Sequence, residues 1–288
     1  MQLALIGTGL VGGSLAAAWR EAGLVDEVLA CDRDPAACAS AVALGVADAC
    51  TDSAAEAVRG ADWVVLAVPV GAMAEVLAQI APALRADAIV TDVGSTKASV
   101  IAAARAQLGA AFSRYVPAHP IAGGELPGVE HSNPGLFAGK LAITTPEVET
   151  DPAALETIEA AWRAIGSRVL RMSAADHDQV FAAVSHLPHL LAFALVARIA
   201  AEPDAQAKLG FAGAGFRDFT RIAASSPVMW RDICLANRVA LSAELAGYRA
   251  LLDEMQLALD QGDAPRLEAT FDLASSTRRR FGAGWDSE

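Results

Sequence analysis

The chain has 288 residues, enough for one large domain or two ordinary ones. It is 54% hydrophobic and 19% charged, which excludes a disordered chain. A formal net charge of −12 argues against nonspecific nucleic-acid binding, and it means that an anionic substrate would need particular arginines set against an unfavourable overall field.

Leu3 to Ile6 read as a buried strand. Gly7, Gly9 and Gly12 follow in G-x-G-x-x-G spacing, and Leu15 to Trp19 continue as a helix. This is the pattern of a turn that seats a dinucleotide pyrophosphate. Gly7 allows the tight turn, Gly9 lets phosphates approach the backbone, and Gly12 lets the helix pack on the strand. Leu10 and Val11 open that helix, whose N-terminus offers free N–H groups to the anion. A second apolar strand, Glu27 to Cys31, ends at Asp32, 20 residues after Gly12. A carboxylate there accepts the ribose hydroxyls of NAD and repels the 2′-phosphate of NADP, while the adjacent Arg33 could partly accommodate one.

Further strand-like runs are Trp63–Val68, Ala88–Asp92, Tyr115–Ala118, Leu141–Thr145 and Arg168–Arg171, with helical patterns at Val70–Ala81, Lys97–Leu108 and Pro152–Ile165. The alternation predicts an α/β domain of Rossmann type, a doubly wound and mostly parallel sheet covered on both faces. The stretch Pro120–Gly139 is rich in Gly, Pro and Asn, a length and composition often found in lids or substrate-shaping segments. After about Met172 the strands stop. The stretches His177–Ala201 and Val228–Leu259 are helical and largely apolar around their circumference, so they must be buried in their own domain or against a partner. The expected organisation is a dinucleotide-binding domain over residues 1–172 and a helical substrate and dimerisation domain over residues 173–288, forming a homodimer. The longest uncharged apolar run noted, Leu187–Val196, falls short of the about 18 residues of a membrane span, and no basic stretch precedes the first strand. Cys31, Cys38, Cys50 and Cys234 show no framework spacing and read as incidental thiols of a reducing cytoplasm.

Several residues could carry chemistry. Val68-Pro69, Asp92-Val-Gly-Ser95-Thr-Lys97 and His119-Pro-Ile-Ala-Gly-Gly124 all follow strands, at the sheet edge where open α/β folds bind ligands. Ser95 also reads as a plain helix cap. His119 could be a packed strand-end residue or, beside a cofactor, a proton acceptor. Ser185-His186-Leu-Pro188-His189 sets two histidines on nearly one helix face, with Pro188 placed to kink it; a metal reading lacks a third ligand. Arg217 and Arg221, four apart, offer forks suited to a carboxylate, or an ion pair with Asp218. The segment runs on to Trp230.

Taken in order, G-L-V-G-G-S (Gly9–Ser14), D-V-G-S-T-K (Asp92–Lys97), H-P-I-A-G (His119–Gly123), S-H-L-P-H (Ser185–His189) and F-R-D-F-T-R-I-A (Phe216–Ala223) closely resemble the prephenate/arogenate dehydrogenases of tyrosine biosynthesis. The resemblance implies oxidative decarboxylation of prephenate to 4-hydroxyphenylpyruvate with hydride transfer to NAD, or the corresponding conversion of arogenate to tyrosine. It implies that His119 accepts the C4 hydroxyl proton, that Ser95 holds that hydroxyl or orients His119, that Arg221 grips the side-chain carboxylate, and that His189 lines the pocket with His186, Arg217 and Trp230. It implies neither a metal nor a membrane. The chain leaves no room for a C-terminal regulatory domain or an N-terminal mutase segment of the kind some members carry. Glu125 is a candidate for favouring the ammonium of arogenate, beside its plain reading as a solvated loop carboxylate. Other two-domain reductases, such as 3-hydroxyacid dehydrogenases, place a catalytic lysine on an interdomain helix; the only lysines here are Lys97, Lys140 and Lys208, none in the long helices. A non-catalytic NAD sensor is the alternative of a different class.

Overall fold

The computed structural model describes residues 1–124 and 126–285. The chain alternates through β1 (Gln2–Ile6), α1 (Leu10–Glu21), β2 (Glu27–Cys31), α2 (Pro35–Ala43), β3 (Ala49–Thr51), α3 (Ala54–Ala57), β4 (Trp63–Leu66), α4 (Met73–Ile80), β5 (Ile89–Asp92), α5 (Ala98–Gln107) and β6 (Tyr115–Val116). These strands form one parallel sheet in the order β3-β2-β1-β4-β5-β6. The order reverses between β1 and β4, which is where such sheets open a crevice for a dinucleotide. Successive residues of β1 feed different cores: Leu3 and Leu5 join one cluster, Ala4 and Ile6 the other. That two-sided burial is why the strands read as continuous apolar runs rather than as alternating ones.

The sequence led to a single sheet, and here the structure differs. The chain leaves the parallel sheet at Pro117, which has no N–H to donate to a ladder. The strands β7 (Ala118–Pro120), β8 (Leu141–Thr144) and, after α6 (Pro152–Ala164), β9 (Arg168–Arg171) form a second sheet, with β7 antiparallel and β9 parallel to β8. From α6, Trp162 packs edge-on against Trp19 of α1 at 6.0 Å and Phe137 at 5.3 Å. The second half of the 120–139 segment is therefore core rather than lid. Val129 and Phe137 are buried, and the Asn133 N–H donates to Ser14 Oγ at 2.9 Å.

The junction between the sheets is polar and fully buried. Asp92, at the end of β5, accepts from the Tyr115 hydroxyl (2.7 Å), the Ala118 N–H (3.2 Å) and the Gly94 N–H (2.8 Å), and it pairs with Lys97 Nζ. Lys97 Nζ also donates to the Ala118 carbonyl at 2.7 Å. Burial lowers the Lys97 ammonium pKa, opposed by Asp92 and Asp178, and raises the Tyr115 hydroxyl well above its ordinary value.

Beyond β9 come α7 (Ala174–Phe181), a π-helical turn (Ala182–His186), α8 (Leu187–Ala200), α9 (Ala205–Gly210), α10 (Ala214–Thr220), a 3₁₀ turn (Arg221–Ala224), α11 (Pro227–Ala236), α12 (Arg238–Gln261) and α13 (Ala264–Trp285). Contacts divide the chain into a unit Met1–Arg238 and a second unit from Val239 onward. In the second unit a groove lined by Leu251, Ala269 and Leu273 runs along α12 and α13, and Arg266 pairs with Glu254 at 3.3 Å.

Two sequence expectations need correction. The run from α7 to α8 is one helical stretch, Ala174–Ala200, of 27 residues and mean hydropathy 1.9, long and apolar enough by length and composition to cross a membrane. The shorter Leu187–Val196 run missed the apolar residues before Pro188. Among the described residues, only 28% of that stretch's apolar window is buried, and α12 buries only Leu241 and Ala258. Second, Cys38 and Cys50 form a disulfide, because α2 packs beside β3 and brings their Cα atoms to 5.5 Å; Cys31 and Cys234 are free.

Replacing Asp92 with alanine strands the buried Lys97. The expected loss is about 3–5 kcal/mol of unfolding free energy, read from urea denaturation.

Candidate active site

The first glycines behave as three distinct parts. Gly7 has φ +99°, and a Cβ there would meet the Ala67 carbonyl oxygen at 2.5 Å. A Cβ on Gly12 would meet the Gly7 carbonyl oxygen at 2.4 Å and the Ala67 Cβ at 2.7 Å. One on Gly9 would meet nothing within 4 Å. Gly9 is also the N-cap of α1 and makes no side-chain cap, so the first N–H groups of the helix, at Leu10, Val11 and Gly12, lack an intrahelical partner. Backbone donors beside empty space fit a pyrophosphate. Asp32 Oδ2 accepts both the N–H and the hydroxyl of Thr8 at 2.9 Å, and its Oδ1 accepts the Asp34 N–H at 3.0 Å. The carboxylate is thus held at the end of β2, where an adenosine ribose would lie. Arg33 is exposed, and Val68 and Pro69 follow β4 on the same sheet edge. Gly124 passes against Leu10 at the start of α1, so the His119–Gly124 segment reaches the cofactor turn. Glu125 lies outside the described residues.

His119 sits on β7, one residue beyond Ala118, whose N–H and carbonyl are both bound by the Asp92–Lys97 pair. Its Nδ1 lies 2.8 Å from His177 Nε2, and its ring packs edge-on against Phe181 at 4.9 Å. His177 Nδ1 lies 2.8 Å from Asp178 Oδ1. Asp178 also accepts the N–H groups of Lys97 (2.8 Å) and Ala98 (2.9 Å), so the cap of α5 comes from α7 and not from Ser95. Burial pushes the His119 imidazole well below its ordinary value, helped by His177, Lys97 and His186.

The π turn Ala182–His186 ends just before Pro188, which supplies no N–H to the first turn of α8. His186 is buried, and burial holds its imidazole down at about 4. Its Nδ1 lies 3.0 Å from Asn237 Nδ2, which also donates to the Asp178 carbonyl at 2.7 Å. An amide nitrogen only donates, so the proton of neutral His186 is on Nε2, and that buried group has no well-formed partner. His189 donates from Nδ1 to the Ser185 carbonyl at 2.9 Å and stacks on Trp230 at 3.6 Å. Burial lowers its pKa; the Ser185 bond opposes this, and the charge of Arg221 adds to it.

The structure therefore gathers most of the expected residues. His119, His186, His189 and Arg221 act on one another in sequence, with Trp230 beside the two histidines of α8 and its preceding turn and the Ser95 backbone beside His186. Arg217 is the exception: it is exposed and donates to the Ala212 carbonyl at 3.2 Å. Arg217 and Arg221 do not share a regular helix face, because α10 ends at Thr220. Sequence reasoning missed the roles of His177, Asp178 and Asn237. The adjacent His-Asp pair at the start of a helix was the available signal.

Comparison with known proteins agrees with this geometry. Residues 15–171 match the family model of the prephenate dehydrogenase nucleotide-binding domain, and residues 173–273 that of its dimerization domain. The chain belongs to the prephenate dehydrogenase family. It is 37% identical to a cyclohexadienyl dehydrogenase of Zymomonas mobilis over 96% of this chain and 94% of that one. It is 33% identical to a Bacillus subtilis prephenate dehydrogenase over 95% and 74%. Among solved structures, an Aquifex aeolicus prephenate dehydrogenase in complex with hydroxyphenyl propionate and NAD+ superposes with a TM-score of 0.90 at 34% identity, covering 98% of each chain. A Synechocystis arogenate dehydrogenase superposes at 0.80 with 27% identity, covering 98% of this chain and all of that one.

The glycine contacts separate binding from folding. Gly9→Ala is expected to keep the wild-type melting temperature while weakening NAD binding roughly tenfold or more, because its methyl fills the phosphate space. Gly12→Ala is expected to cost about 1–3 kcal/mol of stability through overpacking. Calorimetry with and without NAD reads both.

Proposed function

We infer that this protein is an NAD-dependent dehydrogenase that oxidatively decarboxylates prephenate to 4-hydroxyphenylpyruvate in tyrosine biosynthesis. The observation that carries the reading is the half-buried His119, its ring held by His177 and Phe181 and its segment reaching the dinucleotide turn through Gly124, with burial favouring the neutral imidazole. Gly7, Gly9, Leu10, Val11, Gly12, Asp32, Val68 and Pro69 would hold NAD, which when bound accepts the hydride from C4.

The chain's own residues supply the rest. His119, being neutral, accepts the C4 hydroxyl proton as carbonyl character develops at that carbon, and the ring carboxylate leaves as CO2 with its bonding pair passing into the ring. The aromatic product recovers a proton on its phenolic oxygen. Ser95 holds the hydroxyl. Arg221 grips the side-chain carboxylate, which offsets the chain's negative field. His186, His189 and Trp230 wall the substrate site, and Arg217, exposed and bonded to the Ala212 carbonyl, stands apart from them. Arogenate, which has an ammonium where prephenate has a keto oxygen, is the second substrate to test; the Synechocystis protein similar to this chain is an arogenate dehydrogenase.

His119→Asn is expected to lower kcat by about 10²- to 10⁴-fold while NAD affinity stays at the wild-type level. Arg221→Ala is expected to raise the KM for prephenate strongly with little change in NAD affinity. Near-normal prephenate oxidation by the first variant, or an unchanged KM in the second, removes that residue from the mechanism.

We further propose a functional division near residue 172 and a homodimer in the cytoplasm, assembled through the helical part. The support is the dimerization-domain match and the exposed Val184, Leu195, Leu252, Leu257 and Phe271 of the apolar helices. In a reducing cytoplasm the Cys38–Cys50 bridge is expected to be open. Sedimentation equilibrium without detergent should give twice the chain mass of 29.6 kDa. A monomer there, or a requirement for detergent, would reject the dimer.

A further inference from the structure

We propose that Asp178 and His177 are positioning residues that place the single proton of His119 on Nδ1 and so leave its Nε2 lone pair free for the substrate hydroxyl. This rests on the reading of His119 as the proton acceptor and adds to it the device that makes the ring a base.

The tautomers follow from one end of the line. Asp178 Oδ1 accepts the Lys97 N–H and Oδ2 the Ala98 N–H, both at a helix start. Burial alone would raise this carboxyl, but its bonds from His177, Lys97 and Ala98 outweigh that and hold it below its ordinary value. An ionised carboxylate only accepts, so His177 Nδ1, 2.8 Å away, carries a proton. Burial lowers the His177 pKa, against the pull of Asp178 and Asp92 and with the push of Lys97, so the ring is neutral and its Nε2 is bare. His119 Nδ1 stands 2.8 Å from that bare nitrogen and must donate to it. His119 is neutral as well, with His177, Lys97 and His186 as the titratable groups acting on it and Phe181 against its ring. Its one proton is therefore on Nδ1.

The arrangement also offsets a difficulty. Burial keeps His119 neutral, but the same burial disfavours the imidazolium formed when Nε2 takes the hydroxyl proton. A line of two hydrogen bonds ending on an anion stabilises that cation without further proton transfer, the logic by which a buried aspartate orients a catalytic histidine in hydrolytic triads. Asn237 steadies the line from behind by donating to the Asp178 carbonyl.

Asp178→Asn tests it. An amide there keeps its oxygen on the Lys97 N–H and on His177 Nδ1 and turns its NH2 to the Ala98 side, so the tautomers stay but the anion that ends the line and stabilises the His119 imidazolium is gone. The expected result is a fall in kcat of at least about 10²-fold with KM values and NAD affinity nearly unchanged. The wild-type base is active when neutral, so kcat should hold its plateau down through pH 6.5 and fall only below it; the variant should not recover that plateau between pH 6 and 9. His177→Gln, whose amide can both accept from His119 and donate to Asp178, should retain kcat within about tenfold. Nitrogen-15 NMR of the histidine rings should show His119 protonated at Nδ1 in the wild type. His119 found protonated at Nε2 in the wild type overturns the proposal even if the variant does not fold. A wild-type kcat in Asp178→Asn overturns it too, and because His119→Asn is assayed alongside, loss of the relay alone is distinguished from loss of the base itself.

Discussion

The structure turns on one buried carboxylate. Asp92 ends a strand of the parallel sheet, and its hydrogen bonds and its ion pair with Lys97 reach the next strand through Tyr115 and the second sheet through Ala118. A charge pair with no exposure is costly to desolvate, and its two side chains remain there only because each finds several partners. What that cost secures is direction. The residue after the doubly bound Ala118 is His119, so the ion pair fixes where the strand bearing the base emerges and at what angle.

A second carboxylate does the same work from the helical side. Asp178, on α7, caps α5 through the N–H groups of Lys97 and Ala98. Lys97 thus belongs to both systems: its side chain serves Asp92 and its backbone serves Asp178. His119 lies between two anchored acids, one bound to the backbone of the preceding Ala118 and the other reaching its ring through His177. In a chain of net charge −12, both acids, like Glu159, have been taken out of solvent and given fixed donors.

Much of this was legible locally. The G-x-G-x-x-G turn, Asp32 and the strand-end position of Ser95 depend on short-range pattern, and the structure sets them at the expected sheet edge, whereas His119 lies within β7 of the second sheet. What escaped the sequence depends on distant segments meeting. Pro117 gives a reason for the change of sheet only once the Asp92 contacts to Tyr115 and Ala118 are known. The roles of His177 and Asp178 escaped because their partners lie 58 and 80 or more residues away. Cys38 and Cys50 meet because a helix packs beside an edge strand, which no spacing of 12 announces. The sequence read the apolar helices as needing cover, and periodicity does not distinguish a core from a partner's surface.

The file of side chains from His119 to Arg221 also sorts the chemistry by depth. His119 stands against Phe181 and the His177 imidazole, where burial favours the neutral ring. Arg221 is exposed, and its charge lowers the pKa of His189. Between them His189, neutral and stacked on Trp230, presents an apolar face with one polar nitrogen.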